Sequence, residues 1–388
     1  MSNKARILMV HSNSKQDVRV IKEAQSLMNS EVSASLSILY WARNSESEGP
    51  LTIDDQVVPT IIYSKSAKFG VGAVKNLQVR LGFMWFVMKY LVHNRNTYDI
   101  VHVVNFELAF VVYMSKFFVH SKKYVYDIFD YILDGYGANL PKLLKYIISF
   151  INKTIMRKFD LTILASEDRL TQVPADVAKR IVVVENAPNY TSVPTSGKVQ
   201  INSHTKINIV YVGVLADNRY LVEVAEIVSE KSEFELYIGG FGKLEGAITE
   251  IANRANNVHF LGSMEYKDVL YLENQADLLL ALYSLTIPNH KYAAPNKFYE
   301  SLFLGKPVLM VEGSGMSKFV SQYDLGVLAK DSKSGIRDAL EKFSKNRNHY
   351  ELSAQGGKHV YKDYFSWYIM STRLVDAYKE IGLEGVRN

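Results

Sequence analysis

No cysteine occurs among the 388 residues. That excludes disulfides, Cys-bound zinc and thiol nucleophiles, and it fits a reducing cytosol. Long apolar runs are missing too. The longest candidate, 81–92, is broken by Lys89 and falls short of the ~20 residues of a membrane span. Ile7 to Val10 is too short an apolar run for a signal peptide, and polar residues follow it. There is no zinc-finger spacing, no RNA-binding signature and no basic region with heptads, so nucleic acid is not the expected partner. No short repeat or low-complexity tract appears.

What is present allows two domains of ordinary size, with 48% hydrophobic residues. The net charge of +5 is unevenly placed: up to Tyr190 there are 23 Lys and Arg against 17 Asp and Glu, and thereafter 22 against 23. Two segments hold much of the excess. Between Ser64 and Asn96, Lys65, Lys68, Lys75, Arg80, Lys89 and Arg95 occur without an acidic residue, among Phe69, Phe83, Trp85, Phe86 and Tyr90. Between Gly137 and Phe159, Lys142, Lys145, Lys153, Arg157 and Lys158 flank Leu143, Leu144, Ile147, Ile148, Phe150 and Ile151. Cations attract anionic head groups and aromatics settle at the interface. The first segment reads equally as a core helix flanked by solvated lysines; two such segments in one half strengthen the membrane-surface reading.

Taken in order, Arg6 to Val10 reads as a buried strand running into His11, Ser12, Asn13 and Ser14. Asp17 can cap the next helix, with Val20, Ala24 and Leu27 inward. Arg19 and Glu23, four apart, read as a surface ion pair. Strands are expected at 32–40, 57–63, 98–104, 123–130, 160–165 and 181–185. His102 sits mid-strand and reads as packed, and Asn105 follows the strand end. Asp127 and Asp130 close the next strand, and with Asp134 they offer hard-cation ligands. The polar stretch 191–205 reads as a boundary. The pattern then restarts: strands at 207–212, 234–238, 276–281 and 307–311, with Gly213 leading to Arg219 and Gly239, Gly240 and Gly242 after the second strand. Alternating strands, polar loops and helices imply doubly wound parallel sheets, whose ligands bind beyond the carboxyl ends of the strands.

The stretch Tyr292 to Met310 organises the rest. Pro295 suits a helix start, Asn296 to Leu304 has helical spacing of Phe298, Leu302 and Phe303, and Gly305 ends it. A loop feeding a helix N-terminus is an anion site. Lys297 and Glu300, in its first turn and a half, are placed to meet a phosphate and a sugar hydroxyl.

Pro295, Asn296, Lys297, Glu300, Gly305, Lys306, Pro307 and Val308 resemble the donor-site motif of retaining glycosyltransferases of the GT-B fold, family four. The run 17–27 resembles that family's first helix, and the resemblance covers nearly the whole chain. It departs at Tyr292, where many members have a first Glu, at Val214, where many have Arg, and at Phe129, where many have His. The resemblance implies an α/β GT-B architecture: two Rossmann-like doubly wound domains facing a central cleft. It implies an acceptor-binding domain over 1–190, a linker at 191–205, a nucleotide-sugar domain over 206–364 and a C-terminal helix, 365–388, returning to the first domain. Asp130, Arg219, Lys297 and Glu300 would carry catalysis. Gly213, Gly240, Gly242, Gly262, Met264, Tyr292, Ala294, Pro295 and Asn296 would bind the donor, a UDP- or GDP-sugar. His11, Ser12, Asn13 and Asn105 would bind the acceptor. No catalytic metal and no cofactor beyond the donor are implied. The expected activity is sugar transfer to a growing, lipid-linked glycan in surface polysaccharide synthesis, at the cytoplasmic face of the membrane. A catalytically silent partner subunit and a sugar-nucleotide epimerase are the alternatives on the same architecture.

Overall fold

The computed structural model describes residues 4–12, 17–42, 51–66, 76–119, 123–134, 140–174, 176–190, 192–201 and 205–383. The chain divides into two compact units: residues 1–185 with 370–388, and residues 186–369.

The first unit is built on a seven-stranded sheet. Its strands are β1 (Ala5–His11), β2 (Ser33–Ala42), β5 (Thr60–Ser64), β6 (Ile100–Val104), β7 (Lys123–Ile128), β8 (Leu161–Leu164) and β9 (Ile181–Val183), in the order β5-β2-β1-β6-β7-β8-β9. Neighbouring strands in it run parallel throughout. Ile7, Leu8, Met9 and Val10 are all fully buried, as a strand covered on both faces requires. A small antiparallel hairpin, β3 (Leu51–Ile53) with β4 (Gln56–Val58), splits the expected strand 57–63. Asp54 and Asp55 turn it at φ of 48° and 60°.

Four helices flank this sheet in sequence: α1 (Val18–Met28), α2 (Leu77–His93), α3 (Phe106–Ser115) and α4 (Lys142–Lys158). Asp17 caps α1, its carboxylate accepting from the N–H of Arg19 and Val20. The two basic segments differ in burial. Helix α2 buries Phe83, Val87 and Leu91 as a stripe. Helix α4 buries only Asn152, Ile155 and Met156, near its end. Leu143, Tyr146 and Phe150 stay 72%, 71% and 60% exposed. Lys68, Phe69, Lys75 and 137–139 lie outside the described residues. After β8 the chain forms a 3-10 turn, Glu167–Gln172.

The second unit repeats the plan with six strands, β10 (Ile207–Val214), β11 (Phe234–Phe241), β12 (Val258–Phe260), β13 (Leu278–Ala281), β14 (Val308–Val311) and β15 (Gly326–Ala329). Their order is β12-β11-β10-β13-β14-β15, again with parallel neighbours throughout. Ile207, Ile209 and Tyr211 pack on one face of this sheet and Val210 and Val212 on the other, the period-two alternation of a strand buried on both sides. The helices that position the site are α5 (Leu221–Ser229), α6 (Glu245–Arg254), α7 (Tyr266–Gln275) and α8 (Asn296–Leu304). After β14 come α9 (Ser317–Gln322), α10 (Lys333–Lys345), α11 (Arg347–Ala354) and α12 (Gly357–Val360), and α13 (Trp367–Leu383) carries the chain back to the first unit. Among the described residues no helix is long and apolar enough to cross a membrane.

Candidate active site

In the second unit the order of strands reverses between β10 and β13. Their carboxyl ends are where a doubly wound sheet takes its ligand. Past the end of β10 the chain makes a 3-10 turn at Asp217–Arg219, and Tyr220, at φ 53°, starts α5. Arg219 lies over the ring of Tyr283, 4.4 Å from its centroid, and Nη1 donates to the Tyr211 hydroxyl at 3.3 Å. That hydroxyl donates to the Val214 carbonyl at 2.8 Å. Burial raises the pKa of Tyr211, while the charges of Arg219 and Lys297 pull it back. Both cations are therefore within electrostatic reach of one buried hydroxyl. His290 Nδ1 donates to the Ser284 carbonyl at 2.8 Å, its ring edge meets Tyr283, and burial lowers its pKa. Neutral pH thus leaves it uncharged.

Helix α8 spans the expected residues. Pro295 stands at its N-cap with φ −70° and ψ 137°, and Gly305 ends it at φ 66°. The N–H groups of Asn296 and Lys297 open the helix, where the backbone has no partner of its own. Phe298, Leu302 and Leu304 are buried on its inner face.

The Lys297 and Glu300 side chains are engaged within the unit. Lys297 Nζ lies 2.6 Å from Glu273 Oε1 on α7 and 2.6 Å from Glu300 Oε2. Glu300 Oε1 accepts from the hydroxyls of Tyr190 and Tyr266, each at 3.1 Å. Glu300 is 1% exposed. Both of its oxygens are occupied from within the unit, and Lys297 faces inward rather than away from the helix N-terminus. The reason is the approach of α7, which brings a second carboxylate, Glu273, to the first turn of α8. Burial, then the nearby Glu300 charge, push Glu273 up to about 8, with Lys297 opposing them.

Two of the glycines meet a constraint from the backbone itself. Gly240 has φ 127°, and a Cβ there would sit 1.8 Å from the Gly213 carbonyl oxygen. Its register partner across the sheet is Gly213. Gly242, at φ 146°, faces the Leu215 carbonyl in the same way. These glycines let β10 and β11 close on each other at their carboxyl ends. Gly262 has φ 63°, and a Cβ there would meet nothing within 4 Å. Met264 Sδ would lie 3.1 Å from a Cβ at Gly239. Tyr292 ends the 3-10 turn Pro288–Lys291. Ala294 and Pro295 follow it, and Ala293 backbone atoms lie against Gly315.

In the first unit Asn105 follows β6 at φ 64°, and its Oδ1 accepts from the N–H of Phe129 at 3.1 Å and of Asp130 at 3.3 Å. Asn105 therefore holds the turn that presents Asp130. The Asp130 side chain is 69% exposed and meets Arg169 Nη2 at 3.4 Å. His11 is 1% exposed and stacked on Tyr40, and burial lowers its pKa to about 4. Its ring is thus part of the packing, not of a surface. Ser12 is partly buried, and Asn13 lies outside the described residues.

The Arg19–Glu23 pair is not at the surface. Arg19 is 3% exposed and Glu23 is 0%. Arg19 binds Glu23 at 3.0 Å and Asp127 at 3.0 Å, donates to the Val184 carbonyl at 2.6 Å, and lies 4.6 Å from the Phe129 ring centroid. His102 is packed, as expected: it is fully buried and its Nδ1 shares a 2.6 Å hydrogen bond with the Tyr378 hydroxyl. Glu23, His102 and Asp127 have the spacing of metal ligands, but the Arg19 guanidinium already supplies the positive charge there. Burial, helped by Asp127, raises Glu23 well above the ordinary carboxylate range; burial also works against the Asp127 charge, but Arg19 and His102 hold its pKa low. The three aspartates read as hard-cation ligands face different partners, Asp127 facing Arg19 while Asp130 and Asp134 face Arg169.

Sequence reasoning missed Glu273, Tyr190, Tyr266, Tyr211, Tyr283 and His290. The one available signal was the odd concentration of tyrosine, 25 residues. No curated protein matches the sequence. Residues 206–346 match the family model described as glycosyl transferases group 1. Among solved structures, sucrose-phosphate synthase from Thermosynechococcus elongatus superposes with a TM-score of 0.74 at 14% identity, covering 98% of this chain and 100% of that one. Anabaena HepE, in complex with UDP-glucose, gives 0.68 at 14% identity over 97% and 100%. WaaG, a glycosyltransferase involved in lipopolysaccharide biosynthesis, gives 0.63 at 14% identity over 95% and 98%. The chain has the GT-B fold of two Rossmann-like domains, and residues 206–346 of its second unit are similar to the group 1 glycosyl transferases.

Proposed function

We propose that the chain transfers a sugar from a nucleoside-diphosphate donor to a growing, lipid-linked glycan, with retention at the anomeric carbon and without a catalytic metal. The observation that carries this reading is the convergence, at the carboxyl ends of β10 and β13, of Arg219 and the open N-terminus of α8. In this reading the diphosphate lies against the N–H groups of Asn296 and Lys297, and Arg219 meets the charge that develops on the leaving group. The glycine-lined ends of β10 and β11 border the nucleotide. Lys297 and Glu300 act from beneath the first turn, so the ribose contact expected of Glu300 would require a tyrosine to move. Asp130, presented by Asn105, orients the sugar or the acceptor hydroxyl. That hydroxyl approaches from the leaving-group side, and a phosphate oxygen takes its proton.

The lipid-linked acceptor is supported by the uncovered face of α4. Leu143, Tyr146 and Phe150, and Phe117 and Phe118 in the turn after α3, are exposed. Lys142, Lys145, Lys153, Arg157 and Lys158 belong to the same helix. Lys116 donates to the Lys158 carbonyl at 2.8 Å, which sets the Phe117 turn against the end of α4. Apolar side chains rimmed by lysine suit an anionic leaflet.

The test is transfer or donor hydrolysis by the full chain with a panel of UDP- and GDP-sugars. The reading expects turnover of one donor and its loss by at least a hundredfold in Arg219→Ala. Binding without turnover would favour the silent-partner reading, and release of an epimerised sugar nucleotide would favour an epimerase.

A further inference from the structure

The contacts of Lys297 leave an imbalance. One ammonium is gripped by two carboxylates, each at 2.6 Å. Glu300 is satisfied on its other oxygen by two tyrosine hydroxyls. Glu273 is 0% exposed, and it is ion-paired to Lys297. An apolar side chain at that position of α7 would pack without the several kcal/mol it costs to bury a carboxylate. Lys297 with Glu300 alone would already be neutral. Glu273 therefore adds either a surplus negative charge or a proton directly under the first turn of α8.

We propose that this triad takes up a proton, at Glu273, when a nucleoside diphosphate binds at the N-terminus of α8. The inference rests on the donor-site reading above. A diphosphate brings negative charge to the helix turn that carries Lys297, and a surplus carboxylate behind that lysine repels it. Protonation removes the repulsion while Lys297 stays paired with Glu300. The groups that face Glu273 are Lys297 and Glu300 on α8, Tyr266 on its own helix and Tyr190. Burial pushes both tyrosine hydroxyls above their ordinary range, and the two carboxylates hold Lys297 above its own despite burial, so neither the tyrosines nor Lys297 titrates between pH 7 and 9. Glu273, pushed up to about 8, does.

The sign follows. Below pH 8 the free protein already holds the proton, and affinity is independent of pH. Above it, binding has to draw the proton from solvent, so affinity falls as pH rises, by at most about tenfold per unit.

Calorimetric titration of the full chain with UDP and with GDP, at pH 8.5 in two buffers of different ionisation enthalpy, reads the uptake directly. The wild type is expected to take up about 0.8 of a proton per nucleotide, the fraction of a group of pKa 8 that is ionised at that pH. Its Kd is expected to rise severalfold between pH 8 and 9. Glu273→Gln is expected to bind with no uptake and a Kd constant within about twofold. Binding by the wild type without uptake, or uptake that persists in Glu273→Gln, overturns the inference and leaves the donor site standing. No binding of either nucleotide by the wild type overturns both. The wild-type measurement alone decides the matter should the variant not fold.

Discussion

Replacing Arg19 with alanine should be among the most damaging single changes in the first unit. The guanidinium binds Glu23 and Asp127 at 3.0 Å each and the Val184 carbonyl at 2.6 Å, with under 5% of the side chain exposed. Its removal leaves a buried carboxylate without its cation, an uncapped carbonyl and a cavity beside Phe129. Breaking a buried ion pair by deleting one partner costs ~3–5 kcal/mol. For a unit of this size ~1 kcal/mol corresponds to ~2–4 °C in Tm, so the transition should fall by on the order of 10 °C. Urea unfolding followed by tryptophan fluorescence is a suitable assay, because Trp41 and Trp85 lie in the first unit and only Trp367 in the second. The triple replacement Arg19→Met, Glu23→Leu, Asp127→Leu should recover most of the loss, since an apolar set of similar volume does not carry the desolvation cost of the charges. A loss below ~1 kcal/mol for Arg19→Ala would refute the reasoning, because it would mean that Asp127 is not left as an unpaired buried charge.

Three further outcomes follow from other parts of the molecule. Gly240→Ala should destabilise the second unit by at least ~2 kcal/mol, from φ 127° and the 1.8 Å approach to the Gly213 oxygen; an unchanged denaturation midpoint would contradict this. His11, lowered by burial from 6.5 to about 4, must gain a proton on unfolding in acid, so its contribution of roughly 3 kcal/mol is present above pH 6.5 and lost as pH falls towards 4. His11→Phe should flatten the stability profile over that window. Leu143→Asp with Phe150→Asp should weaken sedimentation with anionic vesicles at least tenfold at unchanged Tm, because each exposed apolar side chain is worth ~1.5–3 kcal/mol when buried; equal binding by the variant would remove the membrane role from α4.

Much of the fold was legible in the residues because each strand is a short apolar run followed by polar loop chemistry. Helix α8 could be bounded from Pro295 and Gly305 alone. Arg19 and Glu23 were misread for a physical reason. Spacing of four places two side chains on one helix face, but it does not say whether that face meets water or a sheet. What decides it is Asp127, 108 residues away. The same limit hid Glu273, which looks like the polar face of an ordinary helix until α8 packs against it. Lys297 was read as a phosphate contact from its place in the first turn beside an anion site. Its pairing with Glu300 is local to the helix, whereas its pairing with Glu273, also at 2.6 Å, depends on the packing of α7. The basic aromatic segments also could not be separated by composition. Burial alone distinguishes α2, with its stripe of Phe83, Val87 and Leu91, from α4, whose first two turns leave their large apolar side chains uncovered.

The central assignment, a diphosphate held by Arg219 and the start of α8, is tested most directly by a crystal structure of the full chain grown with UDP or GDP. Density for the two phosphates is expected within hydrogen-bond reach of the N–H groups of Asn296 and Lys297 and of the Arg219 guanidinium, with Lys297 Nζ still between Glu273 and Glu300. Phosphates bound elsewhere on the second unit, with that helix terminus and Arg219 untouched, would contradict it.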